Sequence, residues 1–204
     1  MKCNVTEARY TASYCLSDVL NFTRYFFRYN NDKKFIVGEH HIRICEKLNE
    51  VLEGKCNRLI INISPRYGKT ELAVKNFIAM GLAMNPKAKF IHLSYSGTLA
   101  VDNSVAIKDI VNSEEYMRLF PNTRVKYGSD TKSRWDTEEG GGVYATSTLG
   151  QITGFGAGLV EDESNVGLFG GAIVIDDPIK PEDAFSEVER EKVNRRFETT
   201  IRNR

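Results

Sequence analysis

The sequence predicts an α/β fold in which a mainly parallel central sheet is flanked by helices. Short apolar, β-branched runs alternate with helical patterns of crossover length, which is typical of such sheets. One run leads into SPRYGKT (64–70), and another ends in the two carboxylates of Asp176 and Asp177. The 204 residues are enough for one domain with a substantial core.

Spacing and turn residues set the order of the elements. The predicted elements are helices over 16–29 and 42–53, a strand over 58–63, a helix over 69–84, a strand over 89–95, a helix over 98–111, strands over 125–128, 133–137, 143–147 and 171–177, and a helix over 182–203. Gly54 and Pro86 are typical helix stops. We expect a helical accessory segment at 1–34 and one domain at 35–204.

Composition excludes several classes of protein. Lys and Arg number 28 against 27 Asp and Glu, so the chain is not a strongly basic nucleic-acid binder, although a local basic patch stays open. The first residues carry no signal peptide, and no apolar run is long enough to span a membrane. We therefore expect a soluble, intracellular protein without a membrane partner.

The cysteines fit neither a zinc site nor a disulfide framework. They are Cys3, Cys15, Cys45 and Cys56, and their spacing matches no CxxC pattern. Dispersed cysteines in a chain of this length are typical of free thiols in a reducing compartment, with one disulfide as the alternative.

The segment 64–70 predicts a phosphate-binding loop. Gly68 allows a tight turn, so that backbone N–H groups and the positive end of the following helix face a phosphate. Lys69 would bind the β- and γ-phosphates, and the Thr70 hydroxyl would bind Mg²⁺. The usual pattern has glycine where Ile63 stands, so the alternative is an ordinary strand-to-helix turn with an exposed lysine.

The run AIVIDD (172–177) predicts the second half of a nucleotide site. In P-loop proteins an acid at the end of such a strand holds Mg²⁺ through its water shell, opposite the loop's hydroxyl, which assigns Asp176 to the metal. Asp177 would orient and deprotonate the attacking water. A simple turn before Pro178 is the alternative. Both motifs in this order favour a P-loop NTPase of the additional-strand branch.

Five segments resemble the ATPase half of the large terminase subunit of tailed bacteriophages. In chain order they are FIVGEHHIRICEKL, SPRYGKTE, YSGTLAVDNS, GQITGFGAG and GGAIVIDDPIKPEDA. The resemblance covers residues 20–204 approximately. It implies a RecA-like ATPase that uses ATP and Mg²⁺ to pump double-stranded viral DNA into a procapsid.

The resemblance also assigns roles to individual residues. Catalysis would involve Asp177, Lys69 and Arg66, and the metal would be held by Thr70 and Asp176. The nucleotide-binding residues would be Ser64, Pro65, Arg66, Tyr67, Gly68, Lys69, Thr70, Glu71, Phe35 and His41.

Three aromatic residues lie where the family contacts adenine, namely Phe35, His40 and His41. A ring of this kind can stack on the base. The alternatives are core packing for Phe35 and a helix-capping or surface role for each histidine.

Two departures from the family pattern concern the missing arginine and the missing nuclease. Ring ATPases use a neighbouring subunit's arginine at the transferred phosphoryl group. Phe155 stands where some relatives have that arginine and residues 161–163 are acidic, so Arg134 and Arg66 remain as candidates. No nuclease acids can be assigned before Arg204, and we expect no DNA cleavage.

The family implies several partners and a location. The partners are double-stranded viral DNA, the portal protein, the small terminase subunit and further copies of the chain in a ring, with a monomer expected in isolation. The location is the cytoplasm of the infected bacterial host. The alternatives are a non-catalytic nucleotide-binding or assembly fragment and a helicase-like DNA translocase.

The charges at the C-terminus, from 182 to 204, predict a solvated helix with a narrow packed stripe. The alternative is contact with DNA phosphates or a neighbouring subunit. That contact would involve the arginines at positions 190, 195, 196, 202 and 204.

Overall fold

The computed structural model describes residues 5–152, 154–159 and 167–203. The helices are α1 (Val5–Leu16), α2 (Val19–Asn31), α3 (Glu39–Leu52), α4 (Phe77–Met84), α5 (Gly97–Val111), α6 (Glu114–Leu119) and α7 (Glu187–Arg196). The strands are β1 (Lys89–Ser94), β2 (Val125–Asp130), β3 (Arg134–Thr137), β4 (Gly142–Ser147) and β5 (Ile173–Ile175). Two π-helical segments, Glu71–Asn76 and Phe197–Ile201, and a 3-10 turn, Asp183–Phe185, complete the described elements.

The five strands form one mixed sheet in the order β2-β3-β4-β1-β5. β4 and β5 run parallel to β1 on its two sides, whereas β2, β3 and β4 pair antiparallel. The α/β class is confirmed, but the sheet is mixed rather than mainly parallel. The reason is the short connection between β3 and β4, because only an antiparallel hairpin can be closed by so few residues.

The two faces of the sheet are covered differently. Alternation along β1 places Phe90 in a large apolar cluster with the helices α2 to α6, and places Ile91 and Leu93 in a small cluster on the other face. The small cluster is completed by Ile152, Phe155 and Ile201. A loop and the C-terminal π-helical segment therefore cover this second face, where the sequence predicted helices.

The predicted strand over 58–63 is wrong. Its side chains alternate as in a strand: Leu59, Ile61 and Ile63 pack against the large cluster, and Ile60 is 84% exposed. Within the described ranges, however, no strand pairs with it. An extended segment becomes a strand only through a hydrogen-bonded partner, and apolar alternation alone does not supply one.

Capping interrupts two of the predicted helices. The helix predicted over 16–29 is replaced by α1 and α2, because the Asp18 carboxylate accepts a hydrogen bond from the Leu20 N–H and caps α2. The long helix predicted over 182–203 begins only after Ser186, whose hydroxyl accepts from the Glu189 N–H. Both breaks occur at residues that prefer to start helices.

The structure also bears on what the sequence predicted for the cysteines, the C-terminal arginines and membrane helices. Cys15, Cys45 and Cys56 are free thiols, as predicted. The Arg196 guanidinium donates to the Gly150 carbonyl at 2.5 Å, so part of it is engaged within the chain. Cys3, Thr153, residues 161–163 and Arg204 lie outside the described ranges.

In the part of the chain described, no helix has the length and apolarity needed to traverse a bilayer.

Candidate functional site

The segment 64–70, called here the 64–70 loop, is a tight turn that opens a helix at Lys69. Two residues in it have left-handed backbone angles, Arg66 with φ 69° and Gly68 with φ 75°. The Leu72 N–H makes the first helical bond, to the Gly68 carbonyl at 3.0 Å. The N–H groups of Gly68, Lys69 and Thr70 reach no protein acceptor in the described chain, as expected for the first turn of a helix.

Lys69 and Thr70 contact the two carboxylates that the sequence singled out. The Lys69 ammonium lies 2.5 Å from Asp177 Oδ1 and 3.0 Å from Asp176 Oδ1. The Thr70 hydroxyl donates to Asp176 Oδ2 at 2.6 Å. Four side chains from positions more than a hundred residues apart thus form one cluster.

The sheet brings these carboxylates to the loop. The parallel ladder between β1 and β5 continues past both strands: the Asp176 N–H donates to Leu93 O at 2.9 Å, and the Tyr95 N–H donates to Asp177 O at 2.8 Å. Asp177 then turns with φ 48°, in the left-handed region. The cluster lies at the carboxyl ends of parallel strands, where α/β sheets bind ligands.

Burial and charge differ across the cluster. The exposed fraction of the side chain is 24% for Lys69, 9% for Asp176 and 59% for Asp177. Partial burial lowers the pKa of Lys69, but hydrogen bonds to Asp177 and Asp176 and their negative charge outweigh it, so the net pKa is raised. Lys69 is therefore a cation, and Asp177 is the carboxylate open to solvent.

A buried histidine supports this edge of the sheet. His92, in β1, donates from Nδ1 to the Val174 carbonyl at 3.1 Å, which leaves Nε2 to accept from the Asn103 amide at 3.2 Å. Burial lowers the pKa of His92 despite that hydrogen bond and the charge of Asp176. The sequence did not single out His92; a histidine inside an otherwise apolar strand is the signal that could have found it.

Glu71 faces its own helix rather than the cluster. Its carboxylate accepts from Lys75 at 3.1 Å and from the Asn76 amide at 3.0 Å. The same amide donates to the Glu71 carbonyl at 2.8 Å, which satisfies that carbonyl within the wider π-helical turn. Glu71, predicted to bind nucleotide, is thus occupied with local contacts.

The aromatic residues predicted near adenine lie beside the 64–70 loop. His41 is a buried residue with 8% exposure, and its Nε2 lies 3.0 Å from the Tyr67 carbonyl. Phe35 is half-buried and packs on His41 with ring centroids 4.9 Å apart. His40 contacts the edge of the Tyr67 ring. The structure therefore brings all three to the loop, with both His41 nitrogens already in hydrogen bonds.

The remaining predicted residues occupy the turn or lie away from it. Ser64, Pro65 and Arg66 are exposed in the turn. Arg134 lies over the Phe155 ring at 5.3 Å and is three strands from β5, about 14 Å at normal strand spacing. Arg134 therefore does not reach the cluster within one chain.

Two side-chain oxygens of the cluster lie side by side as possible metal ligands. The described residues contain no group of three or more His, Cys, Asp or Glu side chains that could hold a metal. Thr70 and Asp176 nevertheless present two hard oxygen donors side by side. That matches Mg²⁺, which takes few protein ligands and completes its shell with water and phosphate.

No protein-family model matches the chain, and a comparison with curated proteins finds no match.

Proposed function

We propose that this chain binds Mg-ATP at the 64–70 loop and hydrolyses it. The observation that supports the proposal is the contact of Lys69 and Thr70 with Asp176 and Asp177. A cation, a hydroxyl and two carboxylates meet at a helix start whose first N–H groups have no acceptor among the residues that the structure describes. These are the groups that phosphoryl transfer requires.

Lys69 changes partners when a phosphate binds. In the structure its ammonium forms ion pairs with two carboxylates. Phosphate oxygens at the 64–70 loop also carry negative charge, and they offer more hydrogen-bond acceptors than the carboxylates do. The N–H groups of Gly68 and Lys69, which have no acceptor within the described part of the chain, add hydrogen bonds to them. The exchange releases Asp177 from its ion pair, so nucleotide binding prepares the carboxylate for its role.

Thr70 and Asp176 would hold Mg²⁺. Their oxygens are 2.6 Å apart, and both are hard donors, so the pair fits this ion. When bound, Mg²⁺ neutralises charge on the β- and γ-phosphates. Asp176 is nearly buried beside β1. The hydrogen bond from its backbone N–H to the Leu93 carbonyl holds the residue in place.

Asp177 acts as the base for the attacking water. Its side chain is the most exposed of the cluster, so water reaches it. The carboxylate accepts the water proton, the water oxygen bonds to the γ-phosphorus, and the bond to the ADP oxygen breaks. Asp177 is one methylene shorter than glutamate, so this water lies closer to the chain's backbone than it would beside a glutamate.

The finer part of the proposal is an ATPase module of a viral DNA-packaging motor. The five segments that resemble large terminase subunits support it. The partners are then double-stranded viral DNA, the portal protein, the small terminase subunit and copies of this chain in a ring, in the cytoplasm of an infected bacterium.

Phosphate release from Mg-ATP tests the proposal. We expect turnover by the wild-type chain and a loss of about a hundredfold or more in Lys69→Ala and in Asp177→Asn, since each removes a group acting on the transferred phosphoryl or the water. Asp183→Asn, an exposed acid beyond β5, is the matched control and should hydrolyse ATP as the wild type does.

Equal turnover by all four chains would contradict the site. Binding of nucleotide without turnover, even with DNA and portal present, would instead support a non-catalytic nucleotide-binding module.

A further inference from the structure

The start of α3 fixes the protonation of His41. The Gly38 N–H donates to His41 Nδ1 at 2.9 Å, as in a helix cap. Nδ1 is therefore an acceptor without a proton, and in the neutral ring the proton sits on Nε2. Burial lowers the pKa of His41 despite the bond to Tyr67, and the nearby His40 lowers it further, which keeps the ring neutral.

The Nε2–H of His41 points at the backbone of the 64–70 loop. It donates to the Tyr67 carbonyl at 3.0 Å, and the His40 Nε2 lies 2.9 Å away as a second acceptor. The ring approaches so closely because residue 68 is glycine: a Cβ there would lie 2.9 Å from His41 Nε2. Gly68 thus serves both the left-handed turn and this contact.

The direction of one carbonyl determines the direction of the next N–H. In a trans peptide, the Tyr67 C=O and the Gly68 N–H point in opposite directions. A carbonyl held toward His41 leaves the Gly68 N–H directed away from α3, and it has no protein acceptor in the described ranges. The hydrogen bond from His41 therefore presets one donor of the proposed phosphate site.

We propose that His41 is a positioning residue that orients the peptide between Tyr67 and Gly68 for phosphate binding, rather than a contact for the adenine base. The proposal rests on the proposed function, because it concerns nucleotide affinity at the same loop. The His41 ring is almost fully buried and both nitrogens are in use, so it has no free polar atom for a base.

Two substitutions separate the hydrogen bonds of His41. The side-chain oxygen of His41→Asn occupies the place of Nδ1, so it keeps the cap on Gly38 and loses the donor to Tyr67. The amide nitrogen of His41→Gln occupies the place of Nε2, so it keeps the donor to Tyr67 and loses the cap. If His41 only caps α3, His41→Asn should be the better replacement. If His41 positions the loop, His41→Gln should bind the ligand more tightly than His41→Asn.

Calorimetric titration with Mg-ADP gives the readout. We expect His41→Asn to bind about tenfold more weakly than the wild type, the usual effect of one lost hydrogen bond, and His41→Gln to bind within about twofold of it. Equal affinity of the two variants, or tighter binding by His41→Asn, overturns the proposal.

Lys69→Ala distinguishes failure of this inference from failure of the proposed function. If the wild type and Lys69→Ala bind Mg-ADP alike, or neither binds, the nucleotide site itself is wrong. If Lys69→Ala loses binding and the two His41 variants are alike, only the role of His41 is wrong.

A measurement on the unaltered chain covers the case in which a variant does not fold. Long-range ¹⁵N–¹H correlation spectra of the wild type report the tautomer of each histidine. We expect His41 to be neutral with its proton on Nε2. A proton on Nδ1 removes the donor to Tyr67 and overturns the proposal.

Discussion

Backbone strain at single residues is concentrated at the candidate site. Among the described non-glycine residues, left-handed φ angles occur at Asp32, Arg66 and Asp177, and the last two belong to the site. Each such residue costs about 1–2 kcal/mol relative to a normal conformation. Strain of this kind persists where the surrounding structure holds it, and it is common at functional sites.

Arg66→Gly should stabilise the chain and weaken ATP turnover, because it relieves backbone strain but removes a side chain that the family resemblance places in catalysis. Glycine relieves the strain at φ 69°, but it also raises the conformational entropy of the unfolded chain, which offsets part of the gain. The free energy of unfolding should still increase by about 0.5–1 kcal/mol. Asp32→Gly is the matched control: it lies outside the site at φ 50°, so stability should rise while turnover stays unchanged. Urea unfolding measures the stability of both variants, and phosphate release measures their turnover. An Arg66→Gly chain that is less stable than the wild type would contradict the claim that Arg66 is strained.

Gly68→Ala should destabilise the chain more than Gly54→Ala. Both positions have nearly the same φ, 75° and 73°, so the backbone penalty of about 1–2 kcal/mol is common to both. Only at position 68 does the added Cβ meet His41 Nε2, at 2.9 Å, whereas nothing lies within 4 Å at position 54. The difference in free energy of unfolding, measured in urea, isolates the contact with His41. Equal losses in the two variants would mean that the His41 ring moves away from the new Cβ at no cost in stability.

Among the elements, those set by local pattern were predicted best. β1, α5 and β4 begin and end within one residue of the predicted ranges, since their apolar spacing and caps lie within the segments themselves. The strands β2 and β3 were also predicted, at 125–128 and 133–137, but their antiparallel pairing was not. The segment 58–63 has no strand partner within the described residues, and local pattern cannot reveal whether a partner exists. The π-helical turn depends on the Asn76 side chain, whose effect no periodicity reveals.

Helix α2 is held to the core by its aromatic face. Phe26 is fully buried and lies 4.6 Å from Phe22 and 5.6 Å from Tyr116 between ring centroids. Phe26→Ala should lower the free energy of unfolding by about 3–5 kcal/mol, through lost burial and the cavity left behind. Tyr10→Ala, on the exposed side of α1 at 78% exposure, should change it by less than about 0.5 kcal/mol.

Urea unfolding measures both substitutions. A small loss for Phe26→Ala, similar to that for Tyr10→Ala, would mean that α2 is not part of the same cooperative core as α4 and α6.

For the whole molecule, the α/β class and four residues of the candidate site could be predicted, whereas the mixed strand order and the contacts of His41 could not. Lys69, Thr70, Asp176 and Asp177 were paired on motif and order, and the structure brings them together. The hydrogen bonds of His41 to the loop were not foreseen. They depend on how α3 packs against the turn, and no spacing rule relates those segments.

Stability of the whole molecule should fall in mild acid. An unfolded histidine has a pKa of about 6.5, and burial lowers that of His92 in the folded chain. Below pH of about 6.5 the unfolded chain binds a proton that the folded chain resists, so the free energy of unfolding decreases until the pH reaches the folded pKa. Urea unfolding at a series of pH values across this range measures the decrease. In His92→Gln the free energy of unfolding should fall less steeply with pH than in the wild type. An identical decline would remove His92 as the cause.

The central claim, that Lys69 and its partners form a nucleotide site, is tested most directly by calorimetric titration of a non-hydrolysable ATP analogue with Mg²⁺. We predict one site on the wild-type chain and affinity at least about tenfold weaker in Lys69→Ala, because a charge-assisted contact to phosphate is lost. Equal affinity of the two chains, or no binding by the wild type, would contradict the claim.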